Sequence, residues 1–275
     1  MTAYIKNSLV VDSAEMQQIV ACAAANNITV SLGYSENDGN SLYIGQCLIT
    51  SSGIIKAKRR KLKATHMERT IFGDASGDSL YNVVDTELGR VGHLACWEHI
   101  QPLLKFHTIS QREEIHISAW PPVYKHQGEE LWSMSQEGLS YFISTLFISW
   151  LITRLGTQSL SKTYAAESQA FVLHCSAVLT QKGIDRMNLS SGMLMNTPGG
   201  GCSAVFGPDG RQLSENLDSQ TEGIVYADLN MDDILKVKAF ADCCGHYSRP
   251  DLLWLGVDAR EKKHLMHVKD ENSNA

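Results

Sequence analysis

The residue with the clearest chemical potential is Cys96. It ends an apolar, strand-like run (RVGHLAC, residues 90–96), and Trp97, Glu98 and His99 follow before a helical pattern begins. A strand-to-helix turn presents its side chains at the carboxyl edge of a sheet, where open α/β folds bind ligands. The positive end of the following helix lowers the pKa of a thiol there. The pattern predicts a nucleophilic cysteine, although an isolated cysteine in an apolar strand is more often a buried small residue.

A second candidate is Lys61, which lies in a basic stretch, KAKRRKLKATHMER (residues 56–69). On charge alone, a solvated strand face explains most of this stretch, and a patch for phosphate or nucleic acid is the next explanation. A third is that Lys61 lies near a thiolate and stabilises the anion formed when sulfur attacks a C≡N or C=O carbon. Glu68 would then accept a hydrogen bond from Lys61 and orient it, instead of being an ordinary surface carboxylate.

Two other groupings are weaker candidates. The Cys96-x-x-His99 spacing resembles half of a metal site, but no second Cys-x-x-Cys or His pair follows it, so we expect no zinc. The glycines at 199–201 lack the Lys-Ser/Thr of a phosphate-binding loop and do not open a helix, which favours a simple turn. We therefore expect neither a metal nor a phosphate-bearing cofactor.

The composition narrows the class of protein. The chain has 275 residues, of which 43% are hydrophobic and 20% charged. These fractions are typical of a globular domain and argue against a mainly disordered chain. Its 24 basic residues against 30 acidic ones give a net charge of −6, which argues against a dedicated nucleic-acid binder. We expect a soluble enzyme.

The cysteines and the apolar runs indicate the compartment. Seven cysteines are scattered along the chain, an odd number that does not suit a secreted disulfide framework, and we find no signal-peptide pattern. We therefore expect a cytoplasmic protein. The apolar run at 139–152 has 14 residues, whereas a membrane span needs about 20, so we expect no membrane span there.

Alternating strand and helix patterns must position these side chains. Strands and helices in alternation, with hairpins between some of the strands, predict an α/β domain with a mixed sheet. We expect a single domain over residues 1–258 and a polar tail over 259–275. The predicted helices cover 14–26, 99–111 and 231–241, and the predicted strands cover 28–34, 41–50, 54–60, 82–86, 90–96, 114–120, 170–179 and 222–229.

Several longer motifs carry a resemblance to a known family. They include GYSENDGNSLYIGQCLI, RRKLKATHMERTIFGD, ELGRVGHLACWEHIQPLLKF and EEIHISAWPP. Together these stretches resemble the nitrilase branch of the carbon–nitrogen hydrolase superfamily, from about residue 7 to about residue 256. The resemblance implies a four-layer αββα sandwich that forms homo-oligomers, in which dimers pair through the helices near the nucleophile and build into spirals. It also implies chemistry without a metal or an organic cofactor.

The resemblance implies a reaction and a set of site residues. A thiolate attacks a nitrile carbon to give a thioimidate, which is hydrolysed through a thioester to a carboxylic acid and ammonia. Cyanide hydratase, which releases formamide from HCN, is an alternative within the branch. The matched positions give the nucleophile Cys96, the catalytic lysine Lys61 and a supporting Glu68, and they give Trp97, Glu98, His99, Trp120 and Pro121 as residues that shape the pocket.

Two departures from the family pattern qualify this expectation. The family begins with a strand, a helix and a strand ending in a general-base glutamate, and this chain starts downstream of that point. The resemblance thus implies a fold incomplete at its N-terminus, and neither Glu15 nor Glu36 matches the base. An atypical insertion is expected at 139–158. The second hypothesis is therefore a catalytically inactive homologue.

Overall fold

A three-stranded antiparallel sheet forms from the first half of the chain. The protein's structure is a computed structural model that describes residues 1–122, 156–191 and 195–261. Strand β1 (Val30–Asp38) pairs with β2 (Ser41–Ile49), and β2 pairs with β3 (Ile55–Arg60). The β1–β2 turn places Gly39 and Asn40 at φ 56° and 71°, the left-handed conformations that a two-residue hairpin favours.

A second, mixed sheet carries the predicted nucleophile. Its five strands lie in chain order: β4 (Val83–Thr86), β5 (Gly89–Ala95), β6 (Ile115–Trp120), β7 (Phe171–Ser176) and β8 (Ala204–Phe206). The three central strands are parallel and the two outer strands are antiparallel to them, which confirms the predicted mixed sheet. Because β5 and β6 are parallel neighbours, the residues that follow them meet at one edge of the sheet.

Helices and short 3₁₀ turns connect and cover the sheets. The helices are α1 (Thr2–Asn7), α2 (Ala14–Ala25), α3 (Pro102–Ser110), α4 (Gly156–Ser168), α5 (Gln181–Met187) and α6 (Asp232–Phe240). The 3₁₀ turns cover His66–Thr70, Gly77–Leu80 and Cys96–Ile100. Helix α2 begins where the Ser13 side chain accepts a hydrogen bond from the Met16 backbone N–H, which satisfies a free donor of the first turn.

Three apolar clusters define the order of the layers. The first packs α2 on the three-stranded sheet, the second lies between the two sheets, and the third packs the five-stranded sheet on α3 and α4. Apolar faces of helices and sheets are buried against one another, so the order is helix, sheet, sheet, helix, the αββα sandwich that the resemblance implies. The clusters centre on Met16, Ala23, Cys47 and Ile49; on Leu48, Ala57, Val91 and Ile115; and on Leu94, Ile109, Tyr164, Val172 and Phe206.

Some predicted elements differ from those observed. The strand predicted over 222–229 pairs with no described strand. Exposure alternates over 224–229 as in a strand, and Ile224 and Tyr226 are exposed. The predicted helix over 99–111 is a 3₁₀ turn followed by α3, because Pro102 opens the regular helix. No helix among the described residues is long and apolar enough to span a membrane.

Other predictions fall on residues outside those described. The apolar run at 139–152 and most of the insertion expected at 139–158 lie there, and only the last three residues of that insertion are described, at the start of α4. The tail expected at 259–275 is described to residue 261. The division into a domain over 1–258 and a tail stays a prediction.

Candidate active site

Cys96 lies at the turn between β5 and the 3₁₀ turn that follows it. Its φ of 55° is in the left-handed region, where a non-glycine residue costs roughly 1–3 kcal/mol and persists only if its surroundings hold it. Two side chains from the same turn hold Cys96 in this conformation. The Ala95 N–H donates to Glu98 Oε2 at 2.9 Å, and His99 Nδ1 donates to the Cys96 carbonyl at 2.7 Å. The main chain on both sides of the nucleophile is therefore fixed.

Glu98 is fixed in turn by Arg59 from the other sheet. Arg59 and Glu98 are 1% and 4% exposed and form a two-pronged ion pair with N–O distances of 2.8 and 2.7 Å. The second oxygen of Glu98 also accepts from the Leu62 N–H at 2.9 Å. Burial alone would raise the pKa of Glu98, but Arg59 and the backbone donors hold that pKa below its usual value. This ion pair ties the segment of Lys61 to the segment of Cys96.

Lys61 is buried, unlike most of the basic stretch around it. It is 2% exposed, and its Nζ donates to Glu68 Oε2 at 2.6 Å. The same oxygen accepts from the Thr65 N–H at 2.6 Å, so Glu68 is held at the start of its 3₁₀ turn. The solvated face predicted from charge describes Lys63, whose side chain is 72% exposed, but it does not describe Lys61.

The predicted catalytic residues share one cavity. Its volume is about 370 Å³, within the range of small-molecule sites, and Cys96, Lys61 and Glu68 line it together with Trp120 and Pro121. Among the described lining residues, Lys61 is the only cation and Glu68 the only carboxylate. Most of the other walls are aromatic or small, and they include Tyr4, Tyr34, Phe72, Ala95 and Ala119.

The remaining predicted pocket residues do not line this cavity. Glu98 and His99 are buried beneath the nucleophile. Trp97 lines a separate surface groove with Leu103 and contacts the cavity wall from outside, since its ring lies edge-on to Trp120 with centroids 6.2 Å apart. The structure thus brings together Cys96, Lys61, Glu68, Trp120 and Pro121, and the roles assigned to all these residues stay predictions.

The environment of the thiol differs from the expectation. Burial raises the pKa of Cys96 to about 11, and the positive charge of Lys61 and the Trp97 N–H only partly offset this. The prediction that the following helix lowers the pKa was wrong, because a short 3₁₀ turn follows the cysteine and desolvation is the larger effect. At neutral pH the resting thiol is protonated, so its proton must leave as the substrate is attacked.

Arg59 supports this site, and the sequence analysis did not identify it. A signal was present, because successive strand residues point to opposite faces of a sheet. Ala57, Arg59 and Lys61 share one parity and are all buried, whereas Lys58 between them is exposed. Once Ala57 is assigned to the core, the same alternation places Arg59 and Lys61 inside.

Comparison with known proteins assigns the family. The family model described as carbon–nitrogen hydrolase matches residues 2–142 and 154–239, which is most of the chain. This chain belongs to the carbon–nitrogen hydrolase family. The predicted membership of the nitrilase branch is confirmed, and so is the prediction of a hydrolase of carbon–nitrogen bonds. The unmatched residues between the two stretches fall inside the insertion expected at 139–158.

Similar curated proteins agree with this assignment, and solved structures share the fold. The chain is 58% identical to an arylacetonitrilase of Aspergillus niger over 99% of its own length and 77% of that protein. It is 57% identical to one of Aspergillus kawachii over 96% and 75%. Its fold matches the NitFhit protein of C. elegans with a TM-score of 0.65 at 17% identity, covering 92% of this chain and 54% of that one. For Saccharomyces cerevisiae Nit3, a member of branch 10 of the nitrilase superfamily, the TM-score is 0.61 at 16% identity, over 90% and 78%.

Proposed function

We propose that this hydrolase converts an arylacetonitrile to the corresponding carboxylic acid and ammonia through Cys96. The observation that carries the proposal is the single cavity in which a thiol and a buried ammonium group meet. The substrate class is suggested by the arylacetonitrilases to which the chain is 54–58% identical. It is also suggested by the aromatic walls of the cavity, because flat aromatic rings pack well against one another.

The first half of the reaction forms a bond between sulfur and carbon. The Cys96 thiol gives its proton to a solvent water molecule in the cavity, and the thiolate attacks the nitrile carbon. One π bond of the C≡N group breaks, and its electron pair moves to nitrogen. The Lys61 ammonium group stabilises and protonates that nitrogen, which gives a neutral thioimidate. Lys61 then regains a proton from the water that received the thiol proton, and Glu68 keeps Lys61 in place throughout. Proton transfers of this kind contribute typically 10²–10⁴-fold to an enzymatic rate.

The second half releases the products. A water molecule adds to the thioimidate carbon, and ammonia leaves with the former C–N electron pair, so that a thioester remains on Cys96. A second water adds to the thioester, the thiolate leaves, and the carboxylic acid is released. Two waters are consumed for each nitrile, one ammonia and one acid are formed, and the thiol is regenerated.

The test measures products from the full chain with phenylacetonitrile as substrate. We expect phenylacetic acid and ammonia in equal amounts, no product from Cys96→Ala, and unchanged turnover in Cys22→Ser, whose thiol is exposed on α2. Formation of the amide without ammonia would instead indicate hydratase-type chemistry. Complete inactivity on nitriles and cyanide would support the inactive-homologue hypothesis. Activity that survives Cys96→Ala would refute the assignment of the nucleophile.

We also propose that the protein is a homo-oligomer located in the cytoplasm. The groove beside Trp97 leaves Ile100 and Leu103 exposed by 43% and 70%, and exposed apolar patches commonly mark contact surfaces. All seven cysteines are free, as suits a reducing compartment. Light scattering on the purified chain tests the first proposal, and cell fractionation tests the second.

A further inference from the structure

A chain of buried polar side chains runs behind the nucleophile, between the five-stranded sheet and α4. The His99 and His116 Nε2 atoms lie 3.0 Å apart, and His116 Nδ1 lies 2.7 Å from Glu113 Oε2. All three side chains are at most 1% exposed, and none of them lines the catalytic cavity. Tyr164 on α4 donates its hydroxyl proton to the other Glu113 oxygen. We call the three residues the Glu113–His116–His99 relay.

The contacts fix where the protons of the two imidazoles lie. A carbonyl oxygen only accepts, so the 2.7 Å contact with the Cys96 carbonyl requires a proton on His99 Nδ1. Burial lowers the pKa of His99 well below its usual value, so the ring is neutral and its Nε2 is an acceptor. His116 must therefore carry a proton on its own Nε2 and donate it to His99.

Glu113 completes this assignment. With Nε2 of His116 protonated, its Nδ1 either donates to the Glu113 carboxylate or accepts from the protonated acid. In both cases one proton is shared between Glu113 and His116, and the pair is neutral overall. The Ser118 hydroxyl, 2.9 Å from His99 Nε2, has the Ser161 oxygen at 2.7 Å as a second acceptor. His116 Nε2 has no hydrogen-bond partner other than His99 among the described residues, so His116 is the donor committed to His99.

We infer that Glu113 and His116 are positioning residues that hold Cys96, through His99, in its left-handed conformation. The hydrogen bond from His99 orients the Cys96 carbonyl, and that carbonyl must keep its direction for φ to remain at 55°. Without a donor at His99 Nε2, the imidazole can exchange its tautomer, and Nδ1 then faces the carbonyl with a lone pair. The relay thus holds His99 in the tautomer that fixes the nucleophile.

The first test compares two substitutions of His99. The amide nitrogen of His99→Asn occupies the place of Nδ1 and can still donate to the Cys96 carbonyl, whereas that of His99→Gln lies near the place of Nε2 and cannot. We measure the rate of Cys96 alkylation by iodoacetamide, read by mass spectrometry of its peptide, together with kcat and KM on phenylacetonitrile. We expect His99→Gln to lose about tenfold or more in alkylation and in kcat, with KM little changed and most of the loss recovered by His99→Asn.

The second test moves one step along the relay. His116→Gln keeps a donor toward His99, whereas His116→Asn reaches Glu113 but not His99, so we expect the larger loss from His116→Asn. The matched control is His93→Met, since His93 is fully buried in β5 and its ring nitrogens have no hydrogen-bond partner among the described residues. His93→Met changes a buried histidine that makes no hydrogen bond to the relay, so we expect alkylation at the native rate.

The outcomes separate positioning from packing. Equal losses from Asn and Gln at either position, tracking a loss of melting temperature, would overturn the inference. Native alkylation rates in folded His99→Gln and His116→Asn would overturn it as well. The effect on kcat rests on the proposed function, whereas alkylation does not. If the native protein hydrolyses no nitrile but alkylation follows the expected order, the proposed function fails and the relay stands.

Discussion

Replacing Glu98 by Gln tests the ion pair that ties Lys61 to Cys96. The Glu98 carboxylate receives four N–H donors: two from Arg59, one from Leu62 and one from Ala95. A glutamine offers one oxygen and one NH₂ group. Whichever way the amide turns, its NH₂ group faces one guanidinium N–H and one backbone N–H. The substitution also removes the negative charge opposite the Arg59 guanidinium, which is 1% exposed. The substitution therefore leaves a buried cation and a backbone donor unsatisfied.

The expected cost is large compared with the stability of the protein. Breaking a buried ion pair by removing one partner costs about 3–5 kcal/mol, whereas a domain is stable by only ~5–15 kcal/mol. Activity should fall as well, because Glu98 holds the N–H next to Cys96 and the N–H next to Lys61. The matched control is Glu167→Gln, which breaks the half-exposed pair with Lys105 and should cost about 0–1 kcal/mol.

Urea unfolding gives the free energy of unfolding, and turnover of phenylacetonitrile gives kcat. Because Glu98→Gln alone can prevent folding, the double variant Arg59→Met/Glu98→Leu serves as the second measurement. It removes both charges, so it should recover stability relative to Glu98→Gln while kcat stays low. A Glu98→Gln protein that unfolds within 1 kcal/mol of the native one and keeps its kcat would refute the reasoning, and so would a double variant with native activity.

The same pair predicts how stability depends on pH. The pKa of Glu98 in the folded protein lies below its unfolded value of 4.5. A lowered pKa stabilises the protein fully above the unfolded value and loses that contribution as the pH falls through the folded value. The native protein should therefore lose more free energy of unfolding below pH 4.5 than Glu98→Gln does. Parallel curves for the two proteins would contradict this.

Three further predictions concern the cavity and the groove. Lys61→Met should lower kcat by about 10²–10³-fold, because it removes the buried ammonium group. The control Lys63→Met changes an exposed lysine and should leave kcat near the native value. Equal effects of the two substitutions in steady-state assays would contradict the role of Lys61. Alkylation of Cys96 should accelerate about tenfold per pH unit from neutrality toward its pKa of about 11, and a plateau below pH 8 would show a lower pKa. Leu103→Glu should reduce the mass measured by light scattering without lowering the melting temperature, and an unchanged mass would exclude this groove as the interface.

Local sequence patterns predicted most of the sheets and the place of the nucleophile. The strands predicted over 28–34 and 41–50 correspond to β1 and β2, and the run ending at Cys96 corresponds to β5, because these strands are specified by their own apolar residues. The strand predicted over 222–229 pairs with no described strand. Pairing depends on which chain segment lies alongside, and a local pattern does not contain that information.

The state of the thiol was not predictable for a related reason. The lowered pKa expected for Cys96 was inferred from its sequence neighbours, which predict a helix terminus nearby. They do not show which distant residues surround the thiol. The observed environment is set by residues that folding brings together. They are Trp120 at the end of β6, which forms one wall, and Lys61 just after β3, which supplies an ammonium group. Exclusion of water by these distant segments raises the pKa of the thiol more than the neighbouring N–H and the charge of Lys61 lower it.

Glu98 and His99 show how far a motif can be interpreted before the fold is known. Polar residues beside a nucleophile suggest contact with substrate, yet spacing alone favours another role. A side chain at the third position of a helical turn reaches back to the main chain where that turn begins. Glu98 does this at the Ala95 N–H, and His99, one position further on, donates to the Cys96 carbonyl. This local geometry was available from the sequence, whereas Arg59, His116 and Glu113, which fix the two side chains from elsewhere, depend on the packing of the layers. Glu98 and His99 therefore fix the main chain around Cys96, and residues from other segments of the fold fix Glu98 and His99.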